Sequence, residues 1–331
     1  MSAEDRVIVL RRRDVASLLD LPSCIVAVEQ MFRARGEGRT QPPEVLSLHV
    51  ENGTFHVKAG VLERERAYFA AKVNGNFPSN PARLGLPTIQ GVLVLADARS
   101  GRPLAIMDSI EITAQRTAAA TAVAARHLAR ADSSVVTIVG CGIQARAHLS
   151  ALRAVLPISQ VFAADRDGCR RDRFADECAA PGIEIHAEPD LPAALDQSDI
   201  VVTCTPSRDP LLHAIAIAPG TFVAAVGADN PEKSEIHPDL MAASRVVVDD
   251  LGQCASFGDL HHAIEAGTMT REDVHAELAE VVAGRKPGRT REDQITLFDS
   301  TGIALQDVAA AAVVYERALA QGAGLALVFA E

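Results

Sequence analysis

Residues 133–145 read Ser133-Ser134-Val135-Val136-Thr137-Ile138-Val139-Gly140-Cys141-Gly142-Ile143-Gln144-Ala145. A run rich in β-branched residues ends here in Gly-x-Gly-x-x-Ala, and a helical pattern follows. This order of strand, turn and helix is the context that a dinucleotide-binding fingerprint requires. Gly140 permits the tight turn, Gly142 lets the backbone approach a pyrophosphate, and Ala145 allows the helix to pack closely on the strand. The N–H groups at the start of the helix, at the positive end of its dipole, would then face the phosphates.

The composition is that of an ordinary globular protein. The chain has 331 residues, of which 48% are apolar and 23% charged, and this length predicts two domains. The net charge of −11 argues against nucleic acid and against an anionic membrane surface as partners. No apolar run reaches about 18 residues, and the start lacks the charge pattern of a signal peptide. The six cysteines form no Cys-x-x-Cys pair, so we expect a reducing, cytoplasmic compartment.

The part of the chain before the fingerprint is rich in strand patterns. Residues 14–35 predict a helix that breaks at Pro22 and resumes at Cys24. Four strand patterns follow, and we expect most of them to pair antiparallel. A long Ala-rich helix, Ser109–Ala129, then leads into the next domain. The predicted strands are Glu44–Val50, Thr54–Val61, Tyr68–Val73 and Gln90–Asp97, and the turns between them are Glu51–Gly53 and Asn74–Pro78.

A strand–helix alternation begins at Ser134 and predicts a parallel sheet. The chain therefore belongs to the α/β class, with a Rossmann-type doubly wound parallel sheet. The last predicted helix, Ala304–Ala320, is apolar on most faces and should pack back on the first domain. We therefore predict one domain over residues 1–115, completed by 303–331, and a Rossmann domain over 116–302. The strands of the Rossmann domain are predicted at 134–139, 159–164, 183–187, 199–204, 221–226 and 245–249.

Asp165 ends the second strand of this predicted sheet, 25 residues after Gly140. A carboxylate there accepts a hydrogen bond from the ribose 2′-OH and repels a 2′-phosphate, which favours NAD over NADP. Arg166 follows directly and weakens this preference, because an arginine can accommodate the phosphate.

Two more predicted strands turn polar at their carboxyl ends, where ligands bind in doubly wound sheets. One ends in Thr203 and Thr205, and the other runs through Val226 to Asp229. We predict Thr203, Thr205 and Val226 as cofactor contacts. Asp229 taken alone is equally compatible with a helix cap. Its expected position beside the nicotinamide makes it the leading acid/base candidate.

Two cations lie where the pattern is otherwise apolar. Lys72 interrupts the strand Tyr68–Val73, where it either reaches solvent at an edge or lines a pocket and binds a carboxylate. Arg116 lies early in the Ala-rich helix beside Thr113, and its planar donor suits a carboxylate or pyrophosphate as well as an interhelical salt bridge. The histidines lack metal-ligand spacing, so we predict solvated helix ends and no metal. These histidines are His237, His261, His262 and His275.

Together these residues resemble the ornithine cyclodeaminase/μ-crystallin family from about residue 14 to residue 320. The Arg-Thr-Ala-Ala segment just upstream of the fingerprint is specific to that family. The matching segments are Lys72–Asn74, Phe77–Asn80, Gly85–Thr88, Ser100–Leu104, Thr113–Ala119, Gly140–Ala145 and Val226–Asp229 with Lys233.

The resemblance implies an N-terminal domain for substrate binding and dimerisation, a Rossmann domain that binds NAD, and a homodimer. It implies that Lys72 and Arg116 bind the substrate carboxylate, while Asp229 is the acid/base residue at the substrate nitrogen. Thr301 is predicted to contact the substrate. The cofactor contacts assigned with it are Thr88, Arg116, Gly140, Gly142, Ile143, Gln144, Asp165, Arg166, Thr203, Thr205, Val226, Lys233 and Ser300.

The chain departs from the family pattern at two places. Cyclodeaminases of the family usually carry an arginine after Gln-Pro-x, and here Glu44 follows Gln41-Pro42-Pro43. The next strand usually ends in Met-Pro, with a glutamate two positions before the Met, and here it reads His56-Val57-Lys58-Ala59. By strand alternation Glu44 would point inward with Leu46. One hypothesis is that Glu44 pairs with Lys58, which replaces the missing arginine; the alternative is two solvated charges.

The sequence is therefore compatible with three functions. The first is an NAD-dependent reductase or dehydrogenase that transfers hydride at the α-carbon of a small amino or imino acid. The second is a cyclodeaminase that oxidises a diamino acid, expels ammonia and returns the hydride. The third is a non-catalytic NAD-binding protein, against which the presence of Lys72, Arg116 and Asp229 argues. The missing arginine and glutamate favour the reductase.

Overall fold

The computed structural model describes residues 6–188 and 190–328, and the chain divides into two compact units. Unit 1 comprises Met1–Arg116 and Ile303–Glu331, and unit 2 comprises Thr117–Gly302. The chain passes from the first unit to the second within one long helix. Each unit has a sheet of its own.

The strands and helices are as follows, numbered along the chain. The strands are β1 Arg6–Leu10, β2 Glu44–Val50, β3 Gly53–Glu63, β4 Ala67–Asn76, β5 Ile89–Asp97, β6 Pro103–Asp108, β7 Val135–Val139, β8 Gln160–Ala164, β9 Glu184–Ala187, β10 Ile200–Thr203, β11 Phe222–Ala225, β12 Arg245–Val248, β13 Ala276–Glu277, β14 Thr296–Asp299 and β15 Leu325–Val328. The helices are α1 Arg12–Leu18, α2 Leu21–Gly36, α3 Asn80–Leu84, α4 Ile110–Leu128, α5 Ile143–Arg153, α6 Gly168–Cys178, α7 Leu191–Asp196, α8 Pro238–Ala243, α9 Leu251–Phe257, α10 Asp259–Glu265, α11 Leu278–Val282 and α12 Ala304–Gln321.

Unit 1 is built on a seven-stranded sheet of order β15-β1-β6-β5-β4-β3-β2. All neighbouring strands pair antiparallel except β1 with β6, which confirms the antiparallel prediction for β2 to β5. Strands β1, β6 and β15 were not predicted, because short apolar runs carry little periodicity.

Two local predictions in unit 1 are wrong. Pro22 does not break the first helix, since the chain leaves α1 at Leu19 and Asp20 then caps α2. Pro22 lies in the first turn of α2, where a proline removes no helical hydrogen bond. The predicted turn at Asn74–Pro78 is also misplaced, because the strand β4 continues through Asn76 in register with β3 and β5.

The C-terminal helix α12 packs against α2, β3 and β4, as predicted for the last helix. Its approach to the sheet depends on Gly60 of β3, where an added Cβ would lie only 3.1 Å from Leu305 Cδ2. The same sheet face buries Leu62 and Tyr68. The short distance between sheet and helix brings side chains of β4 within reach of polar side chains on α12.

Unit 2 contains an eight-stranded sheet of order β13-β12-β14-β11-β10-β7-β8-β9, and every pair is parallel. The predicted Rossmann-type parallel sheet is thus confirmed. The strand order reverses beside β7, where ligands bind in such sheets. Strand β14 was not predicted, although it lies between β11 and β12.

Within residues 6–188 and 190–328, no single helix is long and apolar enough to cross a membrane. Helices α1 and α2, which are bent by 81° relative to each other, pass the length and composition test only as a pair.

Candidate functional site

The fingerprint turn follows β7 in unit 2. Gly140 has φ +95°, and its N–H donates to the Ala164 carbonyl at 2.8 Å. A Cβ at Gly140 would lie 2.8 Å from Thr205 Cγ2, so the turn also requires glycine for space. Gly142 caps α5, and a Cβ there would meet nothing within 4 Å. The backbone is therefore open at the helix start, where a pyrophosphate would bind.

Asp165 lies at the carboxyl end of β8, and backbone N–H groups hold both of its carboxylate oxygens. Cys141 N donates to Oδ2 at 2.8 Å, and Asp167 N donates to Oδ1 at 2.9 Å. Arg166 is exposed. The carboxylate is thus fixed beside the fingerprint turn, where it can accept further hydrogen bonds.

The residues of this turn fit a dinucleotide. Gln144 Oε1 is buried and finds no donor in the described part of the chain, so it can accept a hydrogen bond from a ligand. Ile143 is 67% exposed on the open side of the same turn. A nucleotide with ribose hydroxyls would use three features of this turn. They are the unpaired acceptor of Gln144, the open backbone at Gly142 and the fixed carboxylate of Asp165.

A buried glutamate that the sequence analysis missed joins the carboxyl ends of β10 and β11. Glu235 accepts hydrogen bonds from Thr203 Oγ1 at 2.8 Å, Thr205 N at 2.6 Å and Gly227 N at 2.8 Å. Burial raises the pKa of this carboxyl group, and the hydrogen bonds oppose that shift. Glu235 therefore holds in place two loops that carry predicted cofactor contacts. No local pattern marks it, since its partners are distant in sequence.

A second buried carboxylate holds the loop after β14. Asp249 accepts from Ser300 Oγ at 2.9 Å, from Thr301 Oγ1 at 3.2 Å and from Gly302 N at 2.7 Å. The hydroxyl groups of Ser300 and Thr301 are thus engaged within unit 2. Their predicted contacts with cofactor and substrate stay predictions.

Two further buried acids, Asp259 and Asp299, lie close to Glu235 and Asp249. Asp259 Oδ1 accepts from the backbone N–H groups of Glu235 and Ile236 at 2.7 and 3.0 Å, and Asp299 Oδ2 accepts from Leu260 N at 2.9 Å. Burial and the neighbouring carboxylates raise the pKa of Asp259 well above its ordinary value, and burial raises that of Asp299 to about 7. These shifts favour the protonated forms of Asp259 and Asp299, because closely spaced buried acids cannot all ionise.

Asp229 follows β11 and forms an ion pair with Lys233. Lys233 Nζ lies 2.6 Å from Asp229 Oδ1 and donates to the Gly227 carbonyl at 3.2 Å. The Asp229 side chain is 40% exposed and that of Lys233 is 17% exposed. Lys233 was predicted as a cofactor contact, and the structure places it against the acid/base candidate.

In unit 1, Lys72 and Arg116 converge on one buried carboxylate, Asp307 of α12. Lys72 Nζ donates to Asp307 Oδ1 at 2.8 Å, and Arg116 Nε donates to the same atom at 2.9 Å. Lys72 also donates to Thr113 Oγ1 at 3.3 Å. Lys72 is therefore a buried group of the α12 side of the sheet, and the alternative of an edge lysine is wrong.

Lys58 joins this cluster from the neighbouring strand. It stands directly opposite Lys72 in the β3–β4 register, and both side chains are buried, at 8% and 3% exposure. Burial lowers the pKa of Lys72 to about 7; Asp307 opposes the shift, and the charges of Arg116 and Lys58 add to it. For Asp307, burial is outweighed by Arg116 and Lys72, which lower its pKa. Three buried cations thus lie close to the Asp307 carboxylate.

Gln306, next to Asp307, adds a hydrogen-bond donor that the sequence analysis missed. Its Oε1 accepts from Arg116 Nη1 at 2.7 Å, which fixes the orientation of the amide. Its Nε2 is buried and finds no acceptor among the residues described. Adjacent Gln and Asp in the otherwise apolar stretch Ala304–Val314 were the available signal. Buried cations beside an unused amide donor are suited to bind a carboxylate.

The model of the ornithine cyclodeaminase/mu-crystallin family matches residues 5–322 of this chain. The chain belongs to this family. The resemblance read from the sequence is thereby confirmed, over nearly the whole chain.

Three relatives within the family show what this chain is similar to. Alanine dehydrogenase of Archaeoglobus fulgidus is 39% identical over 322 residues, which cover 97% of this chain and 98% of that protein. An archaeal alanine dehydrogenase dimer with bound NAD matches with a TM-score of 0.94 at 38% identity, covering 98% of this chain and 100% of that chain. Thermococcus litoralis Δ1-pyrroline-2-carboxylate reductase, in complex with NADH and L-proline, matches with a TM-score of 0.92 at 33% identity, covering 96% and 99%.

The prediction for Glu44, where this chain departs from the family pattern, is wrong. Glu44 is exposed, and so are Leu46 and Leu48 on its side of the strand. In the β2–β3 register Glu44 lies opposite Ala59, and Val45 lies opposite Lys58. Because side chains alternate along a strand, Glu44 and Lys58 point to opposite faces of the sheet and do not pair.

The remaining predicted site residues are placed as follows. Thr88 belongs to unit 1, and its carbonyl accepts from Phe77 N at 2.8 Å. His237 has ligand atoms within 4.8 Å of those of His213 and Asp239, a grouping that sequence spacing did not show. His237 caps α8, and its Nδ1 accepts from Asp239 N at 3.3 Å. His261 and His262 form a second such group with Glu265, and His275 lies near Arg245.

Gly140→Ala tests the fingerprint turn against a matched glycine, Gly182, which has φ +78° and open space around it. The left-handed backbone costs about 1–2 kcal/mol at both positions. At Gly140 the overlap with Thr205 adds about 1–3 kcal/mol. We expect Gly140→Ala to lower thermal stability more than Gly182→Ala. We also expect it alone to weaken NADH binding in calorimetry, by roughly tenfold or more. Equal NADH affinity in the two variants would contradict a nucleotide site at this turn.

Proposed function

We propose that the protein is an NAD(H)-dependent oxidoreductase that transfers hydride at the α-carbon of a small amino or imino acid. The observation that carries this proposal is the buried cation cluster of Lys58, Lys72 and Arg116 around Asp307. This cluster suits a substrate carboxylate, and it occurs in a chain with a dinucleotide fingerprint. The alanine dehydrogenase and pyrroline-2-carboxylate reductase relatives support the proposal.

In this proposal Lys72, Arg116 and Gln306 bind the substrate's α-carboxylate. Arg116 is held in one orientation by Asp307 and Gln306, so little side-chain entropy is lost when a carboxylate binds. Burial strengthens each charge-assisted hydrogen bond because water does not compete. Fixing the carboxylate also fixes the α-carbon to which it is bonded, which makes hydride transfer effectively unimolecular.

Asp229 exchanges the proton at the substrate nitrogen. Its side chain is accessible, and the ion pair with Lys233 holds its carboxylate in place. Lys233 is in turn oriented by the Gly227 carbonyl, and its own carbonyl is paired with His262 Nε2 at 2.8 Å. We therefore assign Lys233 as a positioning residue for Asp229.

NAD(H), when bound, supplies or accepts the hydride. The turn Gly140–Ala145 would hold its pyrophosphate, and Asp165 would accept from the adenosine ribose, which favours NAD over NADP. Thr203, Thr205 and Val226, on loops braced by Glu235, would complete the site in unit 2. The six cysteines are all free in the structure, which supports a reducing, cytoplasmic compartment.

An NADH absorbance assay tests the reaction. Cyclic imines and 2-oxo acids with ammonia or amines are supplied to the purified protein. We expect stoichiometric oxidation of NADH in the presence of a suitable substrate, and none when the carbonyl compound is omitted. Ammonia release from ornithine without net change in NADH would instead identify a cyclodeaminase. Intact NADH binding without turnover of any substrate would identify a binding protein.

Asp229→Asn tests the acid/base assignment. The amide preserves size but cannot exchange a proton, so we expect kcat to fall by about 10²–10⁴-fold, while the NADH dissociation constant is unchanged. Asp209→Asn, in an exposed loop of the same unit, is the matched control and should keep wild-type turnover. If Asp229→Asn turns over as fast as this control, Asp229 is not the acid/base residue.

We also propose that the protein is a homodimer formed through the apolar face of the unit 1 sheet. The register places Leu46, Val57, Val73 and Val92 in one row across β2 to β5, on the face opposite Lys58 and Lys72. Leu46, Leu48 and Val73 are 53%, 51% and 37% exposed. Exposed apolar side chains that lie side by side on one sheet face indicate an interaction surface, and the archaeal alanine dehydrogenase is a dimer.

Leu48→Glu tests this interface by placing a charge in the apolar face. We expect the variant to be monomeric in sedimentation velocity while the wild type is dimeric, because an unpaired charge in an apolar interface is costly. Ile215→Glu is the matched control, since Ile215 is 98% exposed and lies in unit 2. A dimeric Leu48→Glu protein would place the interface elsewhere.

A further inference from the structure

We propose that His213, His237 and Asp239 form a binding site for a divalent transition-metal ion, Zn²⁺ or one of its first-row neighbours, on the surface of unit 2. None of these residues takes part in the hydride transfer proposed above, so the site is independent of that function. The ligand atoms of the three side chains lie within 4.8 Å of one another. Two imidazoles and one carboxylate are a ligand set that suits Zn²⁺ and related metals.

The fold places the two histidines side by side. Leu212 and Ile236 are fully buried and form a parallel β-bridge, and His237 N donates to the Leu212 carbonyl at 2.9 Å. His213 and His237 directly follow these two residues, and both have extended backbone. Because side chains alternate in extended backbone, both imidazoles turn away from the core. Sequence spacing could not show this pairing, because the β-bridge creates it.

The two imidazole rings restrict each other. Their centroids lie 4.2 Å apart at an interplanar angle of 31°. The side chains of His213 and His237 are nevertheless 49% and 39% exposed, so an ion can reach them from solvent. The rings are thus ordered before a metal binds, which lowers the entropy lost on binding.

The Asp239 carboxylate faces both rings. Its Oδ1 lies 3.0 Å from His237 Nδ1, and its Oδ2 lies 3.8 Å from His213 Nδ1. A tetrahedral metal with ligand bonds of about 2.0–2.2 Å separates neighbouring ligand atoms by roughly 3.3–3.6 Å. The two observed distances lie on either side of this range, so small side-chain movements would complete the geometry.

The ligand atoms have the electronic form that a metal requires. Burial raises the pKa of Asp239, but the hydrogen bond from Ala214 N at 3.1 Å and the contact with His237 outweigh it and lower the pKa below its ordinary value. The carboxylate is therefore ionised. His237 Nδ1 carries a lone pair, because it accepts from Asp239 N at 3.3 Å. This hydrogen bond is longer than usual, so a bond to a metal would replace it at small cost.

A metal at this site would join two segments that Glu235 already connects from the buried side. The segment before His213 contains Thr205, whose N–H donates to Glu235 at 2.6 Å. The segment before His237 contains Glu235 itself. An ion bound by the two histidines would hold the same segments together at the surface. We therefore expect the metal to stabilise the folded state, since it binds the native arrangement.

A second group of possible ligands, His261, His262 and Glu265, provides the matched control. Its residues all lie on the single helix α10, so an ion there would join no separate segments. The His262 Nε2 is also engaged with the Lys233 carbonyl at 2.8 Å. We therefore assign the metal to the first group and not to the second.

The test measures Zn²⁺ binding to the full-length, tag-free protein after treatment with a chelator, by calorimetry and by thermal unfolding. The wild type should bind one ion and unfold at a higher temperature when Zn²⁺ is present. His213→Ala and His237→Asn should each weaken Zn²⁺ binding by more than about 100-fold, since even the partners of metal ligands contribute about 10–100-fold. Asparagine can still cap α8, so His237→Asn keeps the start of that helix. His261→Ala should bind Zn²⁺ as the wild type does.

Three outcomes would overturn the proposal. They are a wild type that does not bind Zn²⁺, unchanged affinity in both His213→Ala and His237→Asn, and loss of binding in His261→Ala. Replacing Zn²⁺ with Co²⁺ separates the site from the free cysteines. Thiolate ligands give Co²⁺ a strong charge-transfer band in the near ultraviolet, whereas imidazole and carboxylate ligands do not. Such a band would place the ion at a cysteine and reject the site.

Discussion

The buried Asp307 carboxylate is the interaction on which unit 1 depends. It accepts from Lys72 on β4 and from Arg116 on α4, and it is itself carried by the C-terminal helix α12. Removing one partner of a buried ion pair leaves an uncompensated charge, which costs several kcal/mol, about 3–5. The same contacts thus tie the end of the chain to the N-terminal sheet and orient the cations proposed to bind substrate.

The two faces of the unit 1 sheet follow from strand alternation. One face carries Lys58 and Lys72 under α12, and the other carries exposed apolar residues such as Leu46 and Val73. A shift of one residue in strand register would turn each side chain to the opposite face, so that the apolar residues and the lysines would exchange places. The ten-residue pairing of β3 with β4 therefore fixes both the proposed carboxylate site and the proposed dimer face.

In unit 2, buried carboxylates also connect separate parts of the chain, here the loops that follow the strands. Glu235 and Asp249 accept backbone and hydroxyl donors from the loops that follow β10, β11 and β14. A carboxylate suits this role because it is an acceptor at every lone pair when ionised. The loops that carry Thr205 and Ser300 are held by these contacts, and polar side chains are therefore buried at the carboxyl edge of the sheet.

The sequence by itself determined the fingerprint turn, the parallel sheet, strands β2 to β5, helix α12 and the family, because these depend on local periodicity and turn chemistry. It also pointed to Lys72 and Arg116 as charges out of pattern. The tertiary structure alone decided that these two meet at Asp307 beside Gln306, that Lys58 joins them and that Glu44 faces away. The physical reason is that strand register and helix docking bring together residues far apart in sequence, and no local pattern encodes which of them will share a face.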